Sequence, residues 1–237
     1  MSLTDRVVVI TGATGGLGPA VVRTMADAGA SVVTTGRRQG ALDALLKDLG
    51  LPDERSLARA SDVTDADSLA ALRDAALARF GQIDGLINIA GGYKSSSVLD
   101  TDLDTWNGVM TLNAVSVMLA CQAMVPHMVE RGYGKVVNVS AQHGLHGHKR
   151  NVAYASAKSA VLRITESLSE DVRAHGVNVN AVLPSTIDTP ANRKAFPKAD
   201  PGKWVSPEEI AAVMRFLVSD EASAIHGAAI PVYGLAG

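Results

Sequence analysis

Cysteine is almost missing from this chain: Cys121 is the only one among 237 residues. A single thiol closes no internal disulfide, so the sequence predicts a reducing, cytoplasmic setting. The start, Met1-Ser2-Leu3-Thr4-Asp5-Arg6, has no apolar stretch of the signal-peptide type. Long apolar runs are missing too, and none approaches the roughly 18 residues that a membrane span needs. Charge of one sign is equally scarce, with 22 Lys+Arg against 24 Asp+Glu and a formal net charge of −2. Without a cationic surplus or a block of like charges, nucleic acid and anionic membranes are excluded as expected partners, which leaves a small molecule. Aromatic residues make up only 4% of the chain, beside 22 glycines and many Ala and Val. The core has to be built from small and β-branched side chains at close range, which suits strands and helices stacked in layers.

What is present alternates. Arg6-Val7-Val8-Val9-Ile10-Thr11 is a short, continuously apolar run, the pattern of a strand buried on both faces. A helical stretch from about Leu17 to Ala28 stops at Gly29, and Ser31 to Thr35 is the next buried strand. Further helices are predicted near 40–49 and 65–79, with strands near 57–61 and 83–89. A long helical region covers roughly 103–130, and Lys135 to Ser140 forms a fifth strand. A second long helix, 151–174, precedes a sixth strand, Val177 to Leu183. Segment 184–205 changes character, with prolines at 184, 190, 197 and 201, and reads as a loop with short helical turns. Ser206-Pro207-Glu208-Glu209 starts a last helix, and Ala228 to Tyr233 closes the sheet. Strands joined by helical crossovers are parallel, so the pattern predicts a single doubly wound α/β domain, 1–237, with a seven-stranded parallel sheet flanked by helices.

Thr11-Gly12-Ala13-Thr14-Gly15-Gly16-Leu17-Gly18 lies between the first strand and the first helix, where backbone N–H groups and the helix dipole can receive a pyrophosphate. Gly12, Thr14, Gly16, Leu17 and Gly18 are therefore candidate cofactor residues. At the end of the second strand an acid would accept bonds from a free ribose 2′-hydroxyl, but the run here is Thr35-Gly36-Arg37-Arg38. Two guanidiniums suit a 2′-phosphate, which favours NADP(H) over NAD(H). Asp62-Val63 is placed to address the adenine, and Asn88-Ile89-Ala90-Gly91 to line the cofactor at the fourth strand. Tyr154 and Lys158, four residues apart at the start of a predicted helix, face the same way. An ammonium beside a phenol favours the phenolate and brings its proton into working range.

The Thr-Gly-x-x-x-Gly-x-Gly loop, Asp62, the Asn-x-Ala-Gly run, Asn113, the Tyr-x-x-x-Lys pair and the Pro184 to Thr189 segment together resemble the short-chain dehydrogenase/reductase family over nearly the whole chain. The resemblance implies a Rossmann-type fold and an NADP(H)-dependent oxidoreductase that reduces a carbonyl or imine substrate. It implies Tyr154 as acid/base, Lys158 as the group that lowers the Tyr154 pKa and binds the nicotinamide ribose, and Asn113 as the holder of a relay water. Pro184, Ile187 and Thr189 would hold the nicotinamide carboxamide, within a substrate-binding loop 184–205.

One departure stands out. The family's substrate-polarising serine usually lies thirteen residues before the tyrosine, which here is Ala141, with Ser140 one residue earlier. A shift of one on a strand turns the side chain to the other face. Either Ser140 serves through a local insertion, or the site has no serine. Serine-free short-chain reductases are known among the dihydropteridine reductases, and Ala90-Gly91-Gly92-Tyr93 and Leu183 to Lys194 are similar to theirs. A quinonoid dihydropteridine reductase-like enzyme is therefore one alternative, and a catalytically silent dinucleotide-binding regulator is another. His143, His146 and His148 cluster before the catalytic helix without a carboxylate or cysteine beside them, so no metal is expected; either they rim the active-site mouth, where they could meet an acidic substrate group, or they are solvated loop residues. Methionines 110, 118, 124 and 128 crowd a helix apolar on more than one face, which predicts a homodimer or homotetramer.

Overall fold

A computed structural model describes residues 1–235. Its strands are β1 (Val7–Thr11), β2 (Ser31–Gly36), β3 (Ser56–Ala60), β4 (Gly85–Asn88), β5 (Gly134–Val139), β6 (Val177–Pro184) and β7 (Ala229–Val232), paired throughout in parallel in the order 3-2-1-4-5-6-7. The helices are α1 (Gly18–Asp27), α2 (Gln39–Asp48), α3 (Ala66–Phe80), α4 (Leu103–Met110), α5 (Ser116–Arg131), α6 (Val152–Val172), α7 (Pro190–Ala195) and α8 (Pro207–Leu217).

Alternation along each strand feeds two apolar layers. Val8 and Ile10 of β1 join Val32, Ile87, Val137 and Val182 under α1 and α8, through Val21, Met25, Ile210 and Met214. Val7 and Val9 join Val33, Leu86, Val136 and Val179 under α3, α5 and α6. No aromatic ring is fully buried among the described residues, and the largest enclosed side chains are Leu, Ile and Met. Local chemistry sets the helix ends. Asp65 caps α3 by accepting from the Asp67 and Ser68 N–H groups, Gly81 ends it at φ +74°, and Ser206 and Glu209 cap each other reciprocally at the start of α8.

The predicted long helical region, roughly 103–130, is continuous in the structure and consists of α4, a π turn and α5. One π turn, Thr111–Val115, separates α4 from α5 and carries Asn113. A π turn widens the backbone by one residue and is commonly found at functional sites. Leu103–Arg131 taken together is long and apolar enough to cross a membrane by length and composition, contrary to the expectation that no run comes close. Half of its most apolar stretch is buried within the fold, where Cys121, Met124 and Met128 meet the sheet. It is the core helix of an α/β layer.

Chain order reverses between β1 and β4, which opens a crevice at their C-terminal ends. Thr11 closes the floor of that crevice: its buried Oγ1 accepts from Ile89 N–H at 3.1 Å and Ala90 N–H at 3.2 Å. Replacing Thr11 with valine keeps the shape and removes the acceptor, leaving two part-buried N–H donors unpaired at about 1–2 kcal/mol each. Thr11→Val is expected to lose about 2–4 kcal/mol of unfolding free energy in urea titration, and a loss below about 0.5 kcal/mol would contradict this role.

Candidate active site

Around the crevice, three glycines sit where side chains cannot. A Cβ on Gly12, whose φ is +68°, would lie 2.8 Å from the Ala90 backbone, and one on Gly18 would collide with the Ala13 carbonyl oxygen. Gly16 leaves room for Thr189, whose Cγ2 stands 2.8 Å from the missing Cβ. The tip of the loop, Thr14 to Gly16, is exposed, while Leu17 packs into the core as the residue preceding α1. The loop thus turns bare backbone toward solvent at a helix N-terminus, which is the chemistry a pyrophosphate needs. Gly36 lies beside Thr14, with 3.4 Å between a notional Cβ and Thr14 Oγ1, so Arg37 and Arg38 leave β2 next to the loop. Both arginines are exposed, and neither is ion-paired among the described residues. Thr64 holds the Asp62 carboxyl below the usual carboxylate range through hydroxyl and N–H bonds of 2.7 and 2.8 Å, with Arg37 adding to the effect. Val63, the next residue, is buried against the α3 layer.

Deeper in the crevice, Lys158 is 4% exposed and donates from Nζ to the Val139 carbonyl at 2.8 Å. A Cβ on Gly91 would fall 2.7 Å from Asn113 Oδ1 and 3.5 Å from Lys158 Nζ, so the Gly91 backbone and the lysine face one small space. Tyr154 lies one turn away on α6, its ring centroid 5.7 Å from Nζ. Tyr93 packs edge to face on Tyr154 at 5.1 Å.

The other sequence-derived candidates are placed as follows. Asn113 donates to the Gly92 carbonyl at 3.0 Å and the Val109 carbonyl at 2.9 Å, and its Oδ1 accepts from Gly92 N–H at 3.1 Å. Both amide hydrogens are committed. Ser140 donates to the Lys158 carbonyl at 2.8 Å and is 2% exposed. Asn88 faces the interior and donates to Asn138 Oδ1 at 2.9 Å, which passes the chain of bonds on to Thr165 at 3.0 Å. The backbone of Ile89 to Gly91, beyond it, borders the crevice. Thr189 caps α7 by accepting from Asn192 N–H at 3.2 Å, while Ile187 bridges to Val205 and Pro184 ends β6. Sequence reasoning assigned no part to Thr11, the Val139 carbonyl, Asn138 or Thr165. Asn138, a polar residue inside an otherwise apolar strand, was the available signal.

Electrostatics departs from the simple tyrosine–lysine expectation. Burial pushes the Tyr154 phenol up to about 12, and the Tyr93 phenol adds to the rise. At 5.7 Å from the ring, and already bonded to Val139, the ammonium does not offset that desolvation. Burial also pulls Lys158 down to about 8. An unfolded lysine keeps its proton to about pH 10.4, so above pH 8 the unfolded chain binds a proton that the folded chain has released, and stability rises with pH. Lys158→Met is expected to remove a rise of about 1 kcal/mol per pH unit between about pH 8 and pH 9.5. Parallel urea midpoints for variant and parent across that range would refute a desolvated ammonium.

Comparisons with known proteins agree with this architecture. The short chain dehydrogenase family profile matches residues 6–200. The chain is 37% identical to cis-4-hydroxycyclohexanecarboxylate dehydrogenase of Sinomonas cyclohexanicum, over 97% of this chain and 96% of the relative. It is 32% identical to 3-oxoacyl-[acyl-carrier-protein] reductase of Thermotoga maritima, over 99% and 98%. The crystal structure of levodione reductase superposes with a TM-score of 0.90 at 30% identity, covering 98% of this chain and 97% of that one. The chain is a member of the short-chain dehydrogenase/reductase family of oxidoreductases.

Proposed function

We propose that the protein is an NADP(H)-dependent oxidoreductase that reduces a carbonyl, or oxidises the corresponding secondary alcohol, with Tyr154 as acid/base. The observation that carries this reading is the shared space of Lys158 Nζ and the Gly91 backbone, one helical turn from the Tyr154 phenol. The residues fit a dinucleotide: the bare cradle of Gly12 to Gly16 suits a pyrophosphate, and unpaired Arg37 and Arg38 suit a ribose 2′-phosphate. Bound there, the cofactor supplies or accepts the hydride. Tyr154, protonated well above neutral pH, delivers a proton to the substrate oxygen. Lys158 holds positive charge at the ribose side of the crevice. Asn113, with its amide committed to Gly92 and Val109, positions the Gly91–Gly92 turn. Ser140 serves by bonding Lys158, which favours a site without a polarising serine and keeps an imine such as a quinonoid dihydropterin as the second reading.

Segment 184–205, seated on the glycine loop through Thr189, is the substrate-binding loop. Val98, Leu99, Leu103 and Met118 are exposed around α4 and α5, a face suited to a homodimer or homotetramer. Cys121, buried and pushed up to about 12, is chemically quiet and fits a cytoplasmic enzyme. The relative named for cis-4-hydroxycyclohexanecarboxylate supports a secondary alcohol or ketone on a small carbon skeleton.

Two experiments test the reading. Tyr154→Phe is expected to cut kcat for NADPH-linked ketone reduction by about 10²–10⁴; unchanged turnover would remove Tyr154 from the mechanism, and no turnover by the parent on ketones, quinones and quinonoid dihydropterin would favour the silent regulator. In fluorescence titration, NADPH should bind more tightly than NADH, and Arg37→Ala and Arg38→Ala should each reduce that preference about tenfold. Equal affinity of the parent for both cofactors would overturn the NADP(H) assignment.

A further inference from the structure

Rings pack around the proposed proton donor. Tyr93 meets Tyr154 edge to face, His143 stands beside Tyr154 with ring centroids 6.3 Å apart, and His148 packs on His143 at 4.4 Å. The segments that leave the C-terminal ends of β4, β5 and β6 (89–102, 142–150 and 184–205) hold seven of the 22 Lys+Arg but four of the 24 Asp+Glu, a formal charge of +3 in a chain of −2. Three of those four acids are already engaged. Asp102 caps α4 by accepting from Thr105 N–H at 2.7 Å. Asp188 grips Arg193 through bonds of 2.6 and 2.7 Å, and Asp200 accepts from Gly202 N–H at 3.0 Å. Lys149 and Arg150 are exposed and have no ion-pair partner among the described residues.

This basic rim is also fixed in place. Ser96 N–H and Ser95 Oγ both donate to the Arg150 carbonyl at 3.0 Å, and Val152 N–H donates to the Ser96 carbonyl at 3.3 Å. Those bonds hold Arg150 at φ +57°, a left-handed conformation that a side-chain-bearing residue adopts only under constraint. Cations concentrated around one cleft of an otherwise acidic molecule raise the local concentration of anions.

We infer that the substrate is a ring-shaped ketone or secondary alcohol bearing a carboxylate, its ring against Tyr93 and His143 and its carboxylate received by His148, Lys149 and Arg150. The inference rests on the reading of Tyr154 as the proton donor. Flat rings beside the reacting group present apolar faces to a cyclic skeleton, while imidazole N–H, ammonium and guanidinium donors match a carboxylate. In turnover only the C–O group changes: its carbon gains a hydride, its oxygen gains the Tyr154 proton, the dinucleotide is oxidised by two electrons, and the carboxylate is untouched.

Calorimetric titration of the full-length protein with NADP(H) bound tests the subsite apart from turnover. Cyclohexanecarboxylate is expected to bind at least about tenfold more tightly than cyclohexanecarboxamide. That margin should shrink as NaCl is raised from about 50 to about 500 mM, and it should collapse in His148→Ala/Lys149→Ala. Equal affinity for the two ligands overturns the inference even if the double variant fails to fold, because the parent protein alone decides it. Tighter binding of cyclohexyl phosphate than of the carboxylate overturns it in favour of a phosphorylated substrate. Turnover of 4-oxocyclohexanecarboxylate and 4-methylcyclohexanone separates the two readings. Carboxylate-selective binding without turnover of either ketone would count against the hydride-transfer reading and leave the anion subsite standing, whereas turnover of the neutral ketone with equal ligand affinities would count against the subsite alone.

Discussion

A buried ammonium needs partners, and the way Lys158 finds them organises this end of the molecule. Its Nζ bonds the carbonyl of Val139, the last residue of β5, and its own carbonyl accepts from Ser140, the next residue along. Two consecutive residues of the sheet thereby hold both the side chain and the backbone of one residue of α6. The turn that follows is held by the same few atoms: a Cβ on Gly144 would lie 2.7 Å from Ser140 Oγ and 2.9 Å from the Lys158 carbonyl, and Ser159 Oγ bonds the Gly144 carbonyl. Tyr154 and His143 owe their relative placement to this joint. A serine at this position that bonds the helix in this way has its hydroxyl in use, which gives the displaced serine of the sequence a physical meaning.

The two ends of the sheet handle charge in opposite ways. At the N-terminal end Asp84, 2% exposed, accepts from Val7 N–H, Gln82 and Arg131, with Arg6 nearby at 3.7 Å. Arg6 in turn stacks 3.9 Å over the Tyr133 ring and bonds Asp220. Asp84 thus has its partners, the condition under which a buried carboxylate is tolerated. At the C-terminal end the cations of 142–150, with Arg37 and Arg38, make no ion pair among the described residues. The buried carboxylate at one end is neutralised by the fold, while the cations at the other lie exposed.

Much of this architecture was legible in the chain. Buried β-branched runs separated by amphipathic stretches point directly to a parallel sheet, since such runs can be stable only when covered on both faces. The glycine loop and the tyrosine–lysine pair were equally readable, because backbone approach and helical spacing are local properties. The π turn at 111–115 was not, since the Asn113 amide within it ties the Val109 carbonyl to Gly92, which lies 21 residues from Asn113 along the chain. Nor was the raised Tyr154 pKa, which depends on how deeply the ring is enclosed, a property of the assembled layers and of Tyr93. The role of Ser140 turned on which side of the strand end α6 occupies.

Thr11 joins strands far apart along the chain, since its partner Ala90 lies 79 residues away. Helices can form within their own segments, but the crevice cannot exist until β4 has reached β1 across the intervening β2 and β3 units. Closing so long a loop is entropically expensive and slow, as for parallel sheets generally. The glycine loop is among the first segments in the chain and yet acquires its binding shape only once β4 has paired with β1, so a chain that had formed its helices without that pairing would lack the cofactor cradle.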